Sequence, residues 1–99
     1  MYLISYDIEG NSLRTKISDR LIAEGLQRIQ YSVFLGVVAP LDFKNLKIWL
    51  EDAIKKGNPQ KDTVLIISLN KYQVREAIVI GKETLDIDEV TDNKNSLVF

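Results

Sequence analysis

Asp7 is the first residue whose type and setting suit chemistry, and the chain leaves few rivals. Its 99 residues include no cysteine and no histidine, which excludes disulfides, thiolate nucleophiles, imidazole bases and the usual zinc ligand sets. Only carboxylates, hydroxyls, lysine and arginine remain. Asp7 stands at the exit of a segment in which Tyr2, Ile4, Tyr6 and Ile8 alternate with Leu3, Ser5 and Asp7. Such alternation reads as a strand with one greasy face, and Asp7 lies on the other. Two copies meeting there across a twofold axis would bring Asp7 to Asp7, and close carboxylates must share a proton or a divalent cation. The spacing equally allows a plainer role, in which Asp7 ends the strand and accepts hydrogen bonds from the turn at 9–12.

The remaining polar candidates are weaker. Glu9 falls on the side of Asp7 if the strand persists, and is otherwise a solvated loop residue. Arg14, Lys16 and Arg20 suit phosphates near a helix N-terminus, where free N–H groups favour anions, or form the wet flank of an amphipathic helix. Ser32 has no histidine to activate it and is read as a hydrogen-bond donor rather than a nucleophile. Walker loops, GxGxxG fingerprints and zinc spacings do not occur.

Elements that position these residues follow from the periodicity. After the first strand, Asn11 or Ser12 is an expected N-cap, and Leu13, Ile17 and Leu21 recur at helical spacing until Gly25. From Gln27 the period returns to two, with Ile29, Tyr31, Val33 and Leu35 on one side and Gln30, Ser32, Phe34 and Gly36 on the other, which reads as one strand with a short further strand expected after Gly36 through Val37 and Val38. A second helix is expected after Pro40, with Phe43, Leu46, Leu50, Ala53 and Ile54 as its stripe. The apolar run Thr63 to Leu69 predicts a central strand buried on both faces, and Glu76 to Gly81 a further short strand. This order predicts an α+β, ferredoxin-like βαββαβ domain over residues 1–82, with both helices on one face of an antiparallel sheet. The opposite face, presenting Leu3 and Phe34, would need covering, most simply by a second copy. Residues 83–99 are expected to be a loose acidic tail whose apolar tip, 97–99, forms a terminal edge strand.

Charge agrees with that division. Residues 1–82 carry 12 Lys or Arg against 9 Asp or Glu, and residues 83–99 carry one lysine against five acids. The mildly basic body can therefore approach nucleic acid although the whole chain is at −1. Met1 to Ile8 lacks the basic start of a signal peptide, and no apolar run nears the roughly 18 residues of a membrane span. A cytoplasmic protein is expected, with no membrane association.

Tyr6-Asp7-Ile8, Arg14-Thr15-Lys16-Ile17, Gly25 and Gln30-Tyr31-Ser32-Val33-Phe34, in that order and spacing, resemble the small CRISPR-associated adaptation protein family. Members are ferredoxin-like dimers that accompany the CRISPR integrase. The resemblance is good over residues 1–36 and thin beyond. It implies a homodimer in which Asp7 binds Mg²⁺ (or Mn²⁺) at the dimer cleft and supports endonuclease cleavage of RNA or DNA, with Ser32 and Phe34 lining the cleft. It also implies a scaffold role beside the integrase on duplex DNA. Where members often have paired arginines this chain has Leu13-Arg14, and where many have an acid after the Ser-Val-Phe it has Leu35. Both departures weigh on cleavage more than on scaffolding. Two other classes share such a fold: a toxin-like RNA interferase, and a regulatory module that binds a small ligand.

Overall fold

The computed structural model describes residues 1–86 and 89–90. The chain runs β1 (Tyr2–Asp7), α1 (Asn11–Ala23), β2 (Gln27–Gln30), β3 (Val33–Gly36), α2 (Pro40–Lys56), β4 (Thr63–Ser68) and α3 (Lys71–Arg75). The four strands form one antiparallel sheet in the order β2-β3-β1-β4. This is the ferredoxin-like arrangement expected from the sequence.

Local chemistry sets the helix limits. α1 begins one residue earlier than its polar residues suggest, because Gly10 is the N-cap and makes no side-chain cap. It ends where Gly25 takes φ +90°, a left-handed conformation that costs glycine little. Pro40 occupies the first turn of α2, where its missing N–H loses nothing. Ile17 and Leu21 of α1 and Leu46 and Leu50 of α2 then pack with Ile4, Tyr6 and Phe34 of the sheet and with Ile8 just beyond β1. Tyr2 stacks on Phe43 at 3.9 Å between ring centroids, which fastens the start of β1 to α2.

Four expectations need correction. Gln27 to Gly36 is not one strand followed by a second at Val37-Val38 but is itself the strand pair, a hairpin turning at Tyr31-Ser32, and its faces are the reverse of those expected. Phe34 pairs with Ile4 in the ladder and is wholly buried on the helical side, so it lines no helix-free cleft. Leu35, opposite Leu3, takes the helix-free side. β4 is an edge rather than the centre of the sheet: Val64 and Ile66 pack on the helical core, while Leu65 and Ile67 are 57% and 41% exposed. A continuous apolar run therefore recorded one face for the core and one left uncovered. Glu76 to Gly81 is not a strand, since α3 follows β4 directly and the sheet makes no ladder with these residues.

The helix-free face is also less bare than expected. Leu35, Val74 of α3, Leu85 and Val90 form a second buried cluster, against which Met1, Leu3, Ile29 and Leu69 pack. Part of the stretch read as a loose tail thus returns to the sheet. The apolar tip at 97–99 lies outside the described residues.

Candidate active site

Asp7 closes β1 with only one ladder neighbour. The β1–β3 register ends at Ser5 opposite Val33, whereas the β1–β4 register continues to Asp7 opposite Thr63. A backbone bond from the Tyr6 N–H to the Ser32 carbonyl, 3.1 Å, brings the hairpin turn to the same sheet end. Asp7 is exposed there, on the helix-free face with Leu3 and Ser5. Ser32 is half-buried and reaches this sheet end through its backbone bond to Tyr6.

Beyond Asp7 the chain leaves the sheet under tight control. The Ile8 carbonyl accepts a hydrogen bond from Nη1 of Arg14 at 2.9 Å, and the Glu9 carbonyl accepts from the same nitrogen at 3.1 Å. From the opposite quarter, the Glu9 N–H donates to Oδ1 of Asp62 at 3.0 Å, linking residues 53 apart in sequence. The other oxygen of Asp62 accepts from the Asn58 N–H at 3.2 Å. Asp62 is 6% exposed, and backbone donors to each oxygen are what allow a carboxylate to lie so deep. The Glu9 carboxylate turns outward toward Lys61, 3.6 Å away, in an exposed pair.

The three basic residues of α1 separate in role. Arg14 is engaged with backbone carbonyls. Arg20 pairs with Glu24 at 3.0 Å and lies 5.0 Å over the ring of Trp49, joining α1 to α2. Lys16 is exposed and borders a groove of about 670 Å³ between the start of α1 and the end of α2, with Trp49, Lys56, Asn58 and Asp62 among its other walls.

Sequence reasoning passed over Asp62 and Arg28. Asp62 sits in a polar turn and carries no signal that separates it from a solvated turn residue. Arg28 pairs opposite Phe34 and holds its guanidinium 5.0 Å over that ring and 5.9 Å from the ring of Tyr31, an exposed aromatic at the hairpin tip. The Arg-x-x-Tyr spacing around a two-residue turn was the available signal. Arg28 stands on the helical face and Asp7 on the other, so one chain does not bring them together.

A hard divalent cation takes several oxygen ligands. Among the described residues no group of three acidic side chains is placed to hold one. With Glu9 directed at Lys61, Asp7 is the carboxylate that this end of the sheet presents among the described residues. The donor chemistry fits such an ion only if a second copy contributes another Asp7 across the helix-free face.

Known proteins resemble this chain in sequence and in fold. Residues 1–77 match the family model described as CRISPR associated protein Cas2. A Pyrobaculum aerophilum protein named CRISPR-associated endoribonuclease Cas2 2 is 37% identical over 82 residues, covering 82% of this chain and 87% of that one. A Thermoproteus tenax protein named as a Cas1 endonuclease/Cas2 endonuclease fusion is 42% identical over 59 residues, which are 59% of this chain and 22% of that protein. The crystal structure of Streptococcus pyogenes Cas2 superposes with a TM-score of 0.70 at 26% identity, covering 81% of this chain and 98% of the other.

Proposed function

The chain belongs to the Cas2 family of CRISPR-associated proteins, and on that premise we propose that it is a homodimeric endoribonuclease whose Mg²⁺ or Mn²⁺ is held between two copies of Asp7. The observation that carries this reading is the exposed Asp7 on a sheet face where Leu65 and Ile67 of the adjoining strand are left uncovered. A second copy covering those residues would bring the two carboxylates toward one axis. When bound, the ion would ready a water for attack and stabilise negative charge on the phosphate oxygens. In this reading Ser32, in the hairpin turn at the same sheet end, would donate a hydrogen bond to a phosphate oxygen, and the exposed Lys16 would meet a flanking phosphate. Arg14 and Arg20, engaged within the chain, hold the local structure instead.

A second reading, a scaffold that joins the CRISPR integrase on duplex DNA, is favoured by the Thermoproteus tenax relative, whose name couples Cas1 and Cas2 in one protein. The family supports either use of the same dimer.

The test replaces Asp7 by asparagine, which keeps side-chain size and removes the anionic oxygens. Cleavage of single-stranded RNA should require Mg²⁺ or Mn²⁺, stop in EDTA and be lost in Asp7→Asn, while sedimentation shows an unchanged dimer. Equal cutting by mutant and wild type would remove Asp7 from the chemistry. Integration supported by two proteins that do not cut would leave the scaffold reading standing.

A further inference from the structure

We propose that Asp62 is a positioning residue for Asp7, acting through the peptide bond between Ile8 and Glu9; this rests on the reading of Asp7 as the cation-binding carboxylate. The two ends of that one peptide plane are held from opposite sides. Its carbonyl oxygen accepts from Arg14 at 2.9 Å, and its N–H donates to Asp62 at 3.0 Å. A plane gripped at both ends resists rotation, so ψ of Ile8 and φ of Glu9, one residue beyond Asp7, are held and the exit of the chain from Asp7 is fixed. The strand itself does not supply this restraint, because β3 no longer pairs with β1 at Asp7 and an end with one neighbour is free to fray.

Asp62 suits the task for three reasons. It directly precedes Thr63, the ladder partner of Asp7, so it is tied to the same sheet end from the other strand. Its second oxygen is committed to the Asn58 N–H, which fixes the carboxylate plane. Its burial excludes the water that would otherwise compete for the Glu9 N–H. A cation shared by two Asp7 residues tolerates only about half an ångström of misplacement in each. The clamp operates in both copies, so its loss counts twice.

The experiment compares wild type, Asp62→Asn and Asp52→Asn as full-length dimers. Asparagine keeps one acceptor oxygen and sets an NH₂ against a backbone N–H, so one of the two bonds must fail. Asp62→Asn should lower kcat for single-stranded RNA about tenfold to a hundredfold, as loss of an outer-shell partner does. KM for RNA should be unchanged, and half-saturating Mn²⁺ should rise. Asp52 lies in an exposed pair with Lys56 beside the same groove, and Asp52→Asn, with the same charge change, should match wild type. A folded Asp62→Asn protein with wild-type kcat and Mn²⁺ dependence would overturn the proposal and leave Asp7's role intact. Wild type that neither binds Mn²⁺ nor cleaves would overturn both. Amide exchange in the wild-type dimer tests the clamp without a variant: the Glu9 N–H should be protected although it lies outside every strand, and rapid exchange would overturn the proposal even if Asp62→Asn failed to fold.

Discussion

The two faces of the sheet are built to different standards. On the helical side, Ile4, Ile17, Leu21, Phe34 and Leu46 are completely enclosed, and the two helices bring matching stripes to meet them. On the other side a smaller cluster shelters Leu35 beneath Val74 of α3, Leu85 and Val90, while Leu65, Ile67 and Asp7 stay in contact with solvent. One face thus supplies most of the folding energy, and the other keeps a carboxylate and apolar surface available. Separating the tasks lets the exposed face change without unmaking the core.

Three substitutions would break or sharpen this contrast. The largest effect is expected for Phe34→Ala, which should cost about 3–5 kcal/mol in chemical denaturation because a completely enclosed ring leaves a cavity between β3 and the helices. A loss below about 1 kcal/mol would mean that the helical face is not the dominant core. One residue on, Leu35→Ala empties a site in the smaller cluster and should cost about 2 kcal/mol, the low end for leucine, since its cover is a short helix and a few side chains that can settle inward. A loss equal to that of Phe34→Ala would put the two faces on a par. Leu65→Thr should change the stability of the monomer by less than about 0.5 kcal/mol, as exposed substitutions do. Sedimentation should nevertheless show the proposed dimer weakened about tenfold or more, because two copies of the same leucine would be buried across the helix-free face. Unchanged association would place the contact between copies elsewhere.

The sequence showed the plan of this fold more readily than its exposed face. Alternation in β1 and the stripe of α2 are strong signals because both elements bury one side against a single core. Phe34 was harder: the run from Gln27 to Gly36 alternates cleanly, yet alternation gives two faces without saying which one meets the helices. Only its ladder partner, Ile4, decides that. α3 was hidden for a different reason, since five residues cannot display a period, although the Asn70 and Gln73 capping box that starts it was present in the sequence. Asp7 stood out through strand parity. Asp62 did not, because its meaning lies in a hydrogen bond to a residue 53 positions away.

The placement of β1 bears on how the chain is made. β1 precedes both β3 and β4 in the chain yet lies between them in the sheet, so it waits for both neighbours. The β2–β3 hairpin can close locally, and β3 can then receive β1, but the last ladder joins segments separated by most of the domain and must overcome the entropy of that loop. Asp62 and Thr63 arrive with this final strand. A nascent chain that stops before them can begin to gather its core, yet it has neither the partner of Asp7 nor the anchor of Glu9. Formation of this sheet end is therefore coupled to completion of the sheet, since Asp7 gains its ladder partner and Glu9 its anchor only when β4 docks.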